Sequence, residues 1–183
     1  IDISDSVPYT SLSLYLPFDE DDVTNSAYDY VGETNVGVNG VPPFVDCIYG
    51  KCYDLDGDND FIAFGDNFDF QDDSFTISLW VRGNGTDMGV VSKDNFAADT
   101  NGVVIVTNGT DYIYKNGSSE FLFGDADLNW HHLAVTRNSV ASDRLKTYYD
   151  GQLITEENDE RTLDNSFPFV LGAINNGEHF NGQ

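Results

Sequence analysis

The groups in this chain most able to do chemistry are its carboxylates, and their spacing decides what they can do. Hydrolysis of a glycosidic bond needs an acid and a nucleophile on one face of a strand, which in sequence means carboxylates alternating with apolar residues. No segment carries such a Glu-x-Asp-x-x-Glu pattern. The densest run, Glu156-Glu157-Asn158-Asp159-Glu160, lacks alternating apolar positions and reads as a solvated loop. His131 and His132 follow Trp130 at the start of an alternating segment, where neighbours point to opposite faces and do not converge on one ion or substrate atom. His179 stands alone, and neither Ser nor Cys is placed beside a His as nucleophile beside base. The sequence therefore argues against catalysis and names no catalytic residue.

Other candidates are ligands and covalent links. Acidic turns such as Asp19-Glu20-Asp21-Asp22 and Asp56-Gly57-Asp58-Asn59-Asp60 fit either a solvated surface or a divalent cation. The stretch from Asp54 resembles an EF-hand loop only superficially, since its Gly57 falls at the fourth position instead of the sixth and no Glu stands at the twelfth. Cys47 and Cys52 flank Ile48-Tyr49-Gly50-Lys51, a turn able to bring them within bridging distance. A disulfide is expected; the alternative is two reduced, half-buried thiols, because no second Cys pair exists to complete a zinc site. Three sequons begin at Asn84, Asn108 and Asn116, each in a Gly-containing turn where a glycan would face water.

The elements that must position these groups read as strands. Leu12, Leu14, Leu16 and Phe18 fall at every second position, as do Phe75, Ile77, Leu79 and Val81, with Trp80 on the opposite face. Residues 19 to 44 are rich in Asp, Asn, Gly and Pro and read as a long surface excursion. Cys52 to Asp56 and Phe61 to Phe64 read as a strand, a tight turn and a returning strand. Further strands are expected at 89–92, 103–107, 112–115, 120–123, 130–137, 145–149, 152–155 and 169–172, with Asp150-Gly151 as a hairpin turn. No run of ten residues has helical spacing, so many short strands imply a sandwich or jelly roll. With 183 residues, 13 Phe and 10 Tyr, one domain with an aromatic core is expected.

Charge removes whole classes of partner. Against 32 acidic residues stand 8 Lys and Arg, a formal charge of -24 that repels phosphate backbones and anionic headgroups, so neither nucleic acid nor membrane is expected as a partner. No stretch approaches the roughly 18 apolar residues of a membrane span. The chain opens on Ile1, as a mature or cropped product would. With the sequons and the cysteine pair, this points to a secreted or cell-surface protein.

The order of motifs resembles the laminin-G-like jelly rolls of the concanavalin A-like lectin/glucanase superfamily. The resemblance is carried by Leu14-Tyr15-Leu16-Pro17-Phe18-Asp19, Leu55-Asp56-Gly57-Asp58-Asn59-Asp60-Phe61-Ile62, Phe75-Thr76-Ile77-Ser78-Leu79-Trp80-Val81 and Trp130-His131-His132-Leu133-Ala134-Val135-Thr136. Tyr148-Tyr149-Asp150-Gly151, Leu171-Gly172 and Phe180-Asn181-Gly182 complete it. It implies an all-β, two-sheet antiparallel jelly-roll sandwich over nearly the whole chain, and no single activity. It also implies a calcium site, for which Asp2, Asp19, Asp56 and Asp58 are candidates, and sugar stacking on exposed rings such as Tyr28, Tyr30, Tyr112 and Tyr114.

Relatives continue past Phe-x-Gly-x into a closing strand, where this chain stops at Gln183; reading on into Ile1-Asp2-Ile3-Ser4-Asp5-Ser6-Val7 restores the pattern. Residues 1–11 are therefore expected to supply a strand beside Leu12 to Phe18, within the molecule or to a neighbouring copy, through Ile1, Ile3 and Val7, with 12–183 as a jelly roll lacking that strand. Two functions follow as expectations: a structural subunit or repeat of a surface filament or adhesin, assembling head to tail with copies of itself, and a calcium-dependent carbohydrate-binding module for glycans.

Overall fold

Alternating apolar and polar residues fold here into stacked antiparallel sheets. The computed structural model describes residues 11–19, 26–94, 101–140, 144–159, 162–175 and 177–183. In chain order the strands are β1 (Ser26–Asp29), β2 (Thr34–Asn39), β3 (Phe44–Asp46), β4 (Lys51–Tyr53), β5 (Leu55–Asp56), β6 (Phe61–Ala63), β7 (Phe75–Val81) and β8 (Thr86–Lys93). They continue with β9 (Val103–Asn108), β10 (Asp111–Asn116), β11 (Ser119–Asp125), β12 (His131–Asn138), β13 (Arg144–Tyr149), β14 (Gln152–Asn158), β15 (Val170–Leu171) and β16 (Asn181–Gly182). An 8-stranded sheet runs β1-β2-β6-β15-β8-β9-β10-β11 and a 4-stranded sheet runs β14-β13-β12-β7, with the small pairs β16-β5 and β3-β4 at the margin. No helix longer than a single turn occurs among the described residues, in keeping with the all-β jelly-roll expectation.

The core is the set of side chains that strand parity turns inward from both sheets. Leu133 and Val135 of β12 and Leu145 of β13 meet Val103, Ile105, Tyr112, Tyr114 and Phe123 of the larger sheet, all fully buried. Val104, Val106 and Ile113 on the opposite face of that sheet are buried beneath Ile174. This second covering needs Gly89, because a Cβ there would lie 2.5 Å from Ile174 Cγ1 and 2.6 Å from the Ala173 carbonyl carbon. At Asp150-Gly151 both residues have positive φ, 50° and 78°, as the tightest hairpin turns require.

Several expectations need correction. Leu12 to Phe18 is not a strand: Leu14, Leu16 and Phe18 pack on the core, and the backbone is tied to the end of β1, Tyr15 N–H donating to Asp29 Oδ1 and Tyr15 C=O accepting from Tyr30 N–H. The segment read as a long excursion contains the β1-β2 hairpin, whose inward residues Ala27 and Val38 are buried. β5 and β6 do not pair with each other, since β5 joins β16 while β6 lies between β2 and β15. Glu156 and Glu157 belong to β14, paired with Lys146 and Leu145, and Asp159 is buried, so that stretch is not a solvated loop; Glu160 lies outside the described residues.

Two buried polar clusters fix loops to this frame. Lys93, whose side chain is 2% exposed, holds Asp66 and Asp69 at 3.0 Å each and donates to the Phe167 carbonyl at 2.9 Å. Asn116 Nδ2 donates to both oxygens of Asp159 at 3.0 and 2.9 Å, with the buried Arg137 guanidinium 3.8 Å from the same carboxylate.

Candidate ligand-binding face

On β7 the inward parity of Phe75, Ile77, Leu79 and Val81 leaves Thr76, Ser78 and Trp80 on the outer face of the 4-stranded sheet. The register places His132 opposite Trp80, Ala134 opposite Ser78 and Thr136 opposite Thr76, and Tyr148 follows beside Ala134 on the next strand. Trp80 is 42% exposed there, an unusual position for an indole in water. Its ring packs against His132 at 5.2 Å and against Tyr49 at 6.0 Å, the latter edge to face. His132 Nε2 lies 2.9 Å from Ser78 Oγ, which sets the imidazole's orientation.

Tyr49 reaches this face from a loop built for the purpose. Cys47 and Cys52 form the expected disulfide, with Cα atoms 5.9 Å apart. Cys47 N–H donates to Gly50 C=O, Gly50 takes a positive φ of 58°, and Asp19 Oδ1 accepts from Lys51 N–H. Lys51 Nζ pairs with Asp46 at 2.7 Å. A six-residue bridged turn thus offers a ring to solvent on a restrained backbone, and the Tyr49, Trp80 and His132 rings form one aromatic ridge flanked by the hydroxyls of Ser78 and Thr76. Such a ridge can stack on an apolar ring face while the hydroxyls exchange hydrogen bonds with polar substituents.

As expected, the paired histidines diverge. His131 lies toward the opposite face, with Nδ1 2.9 Å from Asp150, Nε2 3.1 Å from Asp127 and its ring stacked 4.5 Å over Tyr149. Burial opposes charging of this imidazole, but the hydrogen bonds to Asp150 and Asp127 outweigh it and hold its pKa above the ordinary value. Hydrogen bonds from Asn129, joined by His131, hold the Asp127 carboxyl below its ordinary value; at Asp150 burial works against the same shift and the His131 contact prevails. Desolvation pushes the Tyr149 phenol up to about 12. The cluster clasps the β13-β14 turn to the end of β12 and holds no nucleophile.

The remaining candidates divide. Asp19 supports the cysteine loop, while Asp56 Oδ1 accepts from Asp58 and Asn59 N–H in a separate turn, so these acids cap backbone amides. Among the described residues no three His, Cys, Asp or Glu side chains gather as a metal would require. Asp2, Ile1, Ile3 and Val7 lie outside the described residues. Tyr112 and Tyr114 are corrected as sugar platforms: both point inward from β10 and are fully buried, Tyr112 donating to Gly83 C=O at 2.6 Å. Tyr28 and Tyr30 pack edge to face at 4.8 Å, with Tyr30 44% exposed. Asn84 and Asn108 are exposed, but Asn116 is fully buried and the nitrogen that would carry a glycan is bonded to Asp159, so that sequon is corrected to a structural residue. Tyr49 was missed; its signal was a ring inside a Gly-containing turn closed by two cysteines.

A laminin G family model described as the concanavalin A-like lectin/glucanases superfamily matches residues 56–183. The chain belongs to that superfamily. A sequence search of curated proteins finds no match. Among solved structures, this lectin/glucanase-type chain is similar to domain 4 of AbnA, an extracellular GH43 arabinanase from Geobacillus stearothermophilus solved with arabinotriose (TM-score 0.68, 18% identity, 90% of this chain and 84% of that one). It is also similar to the receptor binding domain of botulinum neurotoxin C/D mosaic serotype (TM-score 0.69, 16% identity, 95% and 48%). A third likeness is the binding domain of Paraclostridial Mosquitocidal Protein 1 (TM-score 0.65, 20% identity, 88% and 46%). The chain spans about half of each toxin domain. At these identities the likeness is one of fold.

Proposed function

We propose that this chain is a non-catalytic, extracellular binding module that engages glycans through the ridge of Tyr49, Trp80 and His132. The observation that carries the reading is the exposed Trp80 between two further rings on a hydroxyl-bearing sheet face. Support comes from the disulfide, which belongs to an oxidising compartment, from the exposed sequons at Asn84 and Asn108, and from neighbours that include a domain solved with arabinotriose and domains named for binding. No helix among the described residues is long and apolar enough to cross a membrane. Against hydrolysis, the adjacent Glu156 and Glu157 turn to opposite faces of β14 and form no carboxylate pair across a bound sugar.

A glycan array and calorimetry on the wild type and Trp80→Ala, each with calcium and with a chelator, test this. A defined glycan whose binding falls at least tenfold in the variant is expected; binding unaffected by Trp80→Ala refutes the ridge. Calcium enters as a variable of the same experiment.

A second reading, a structural subunit of a surface filament or adhesin that assembles with copies of itself, is favoured by one observation. β7, which carries the ridge, ends its sheet and has an unpaired edge among the described residues.

A further inference from the structure

We infer that the glycan accepted at this face is acidic, and that Arg82 binds the carboxylate of a sugar unit whose ring stacks on Trp80. The inference rests on the glycan-binding reading above and names the class of ligand.

The register that sets His132 opposite Trp80 and His131 opposite Val81 continues to Trp130 and Arg82, so strand parity puts this pair on the outer face with the ridge. The contact agrees: the Arg82 guanidinium lies over the Trp130 indole, with Cζ 5.6 Å from the ring centroid. Both residues are half-buried, and the Arg82 backbone is fixed by bonds of its N–H and C=O to Gln183, each 2.8 Å. A guanidinium that packs on an indole still has its N–H edge to offer, and that fork meets a carboxylate with two parallel hydrogen bonds. Arg82 stands two residues beyond Trp80, about 6.6 Å along the strand. That is the reach from the centre of a stacked pyranose to a guanidinium bonded to its carboxylate.

The distribution of charge points to the same class. Among the described residues Lys51, Lys93, Lys115, Arg137 and Lys146 each pair with a carboxylate, whereas the Arg82 guanidinium is in no ion pair and donates no hydrogen bond. This holds in a chain with 32 Asp and Glu against 8 Lys and Arg, where an arginine has carboxylates available on most surfaces. The outer face is swept of them: no outward position of β7, β12 or β13 is acidic, and Glu156 on β14 lies 3.6 Å from Lys146. The acids at the Arg82 end of the sheet, Asp127 and Asp150, are bonded to His131 on the other side. The rest of the molecule's negative charge is screened beyond about 8 Å at physiological ionic strength, so an acidic sugar on the ridge meets the cation and not the overall field.

The test is calorimetry of the full chain against oligosaccharides built from galacturonate, glucuronate, mannuronate or sialate units, each paired with its carboxyl-reduced neutral counterpart, and against sulfated chains. A chelator is present throughout, so that no divalent cation bridges carboxylates. At least one acidic sugar is expected to bind about tenfold or more tightly than its neutral counterpart, as for gaining hydrogen bonds to a charged group. Arg82→Gln should bring the acidic sugar down to the level of the neutral one, and Arg82→Lys should recover only part of the margin, since an ammonium lacks the fork. The comparison of acidic and neutral sugars on the wild type does not depend on how any variant folds. Equal binding of the two, or a margin that survives Arg82→Gln, would overturn the acidic class; a loss on Trp80→Ala in that case would leave the ridge standing. Sulfated chains bound as tightly as carboxylated ones would overturn the carboxylate assignment, and no binding to any sugar would overturn this inference and the ridge together.

Discussion

Removing both counter-ions of Lys93 should destabilise the fold more than removing Lys93 itself. Asp66 and Asp69 each approach the ammonium at 3.0 Å, which corresponds to about 5 kcal/mol of attraction per pair at an effective dielectric of about 20. The carboxylates are 53% and 41% exposed, so much of that attraction is returned by their hydration when the pair is broken. The ammonium, at 2% exposure, has no such alternative. Asp66→Ala with Asp69→Ala leaves a buried cation with only the Phe167 carbonyl, which costs about 3–5 kcal/mol. Lys93→Met keeps the volume and leaves mainly that carbonyl unsatisfied, about 1–3 kcal/mol. At roughly 2–4 °C per kcal/mol, the double variant should melt about 6–20 °C below the wild type, and adding Lys93→Met to it should restore part of the loss. Guanidinium unfolding followed by tryptophan fluorescence, checked against circular dichroism for coincident transitions, gives all the values. A double alanine variant no less stable than Lys93→Met would refute the reasoning.

Replacing both Cys47 and Cys52 with Ser should lower stability by about 2 kcal/mol, the loop being short, and should shift Trp80 emission as Tyr49 loses its restraint. His131 contributes stability that is fully present below its unfolded pKa near 6.5 and lost as pH rises through the raised folded value. Asp127 and Asp150, lowered from 3.8, contribute stability above that value that is lost as pH falls through their folded values. The melting difference between the wild type and His131→Gln should therefore be largest between those limits and shrink in alkali; a difference that grows with pH contradicts the clasp. In a host that glycosylates secreted proteins, peptide mapping should find Asn84 and Asn108 modified and Asn116 bare, because its amide is bonded to Asp159; a glycan at Asn116 in folded protein would sink that assignment.

Strands long enough to show their period were legible in the sequence: Phe75–Val81 and His131–Asn138 have one face on the core, and alternation reports that directly. Leu12 to Phe18 alternates too, yet alternation reports burial and not ladder bonding, and Leu14, Leu16 and Phe18 reach the core from a segment that is not a strand. The β1-β2 hairpin was hidden because Asp, Asn and Gly signal turns locally, and only pairing with β6 supplies the reason to extend. At Asn116 the Gly-Ser that follows marked a turn correctly, but burial there is decided by Arg137 and Asp159, both distant in sequence. The parity of Trp80 was readable; that a bridged loop would set Tyr49 against it was not, since the contact joins segments that no local pattern links.

The anchoring of Gln183 also sets how the fold carries load. Its backbone is bonded to Arg82, its side-chain amide to Asp54 at 2.9 Å, and Asn181 two residues earlier pairs with Asp56. A pull on Gln183 along the strand axis acts on these bonds side by side, in shear, so they must fail together; a pull across the sheet would open them one after another. Resistance to tension in this fold therefore depends on the direction of the force.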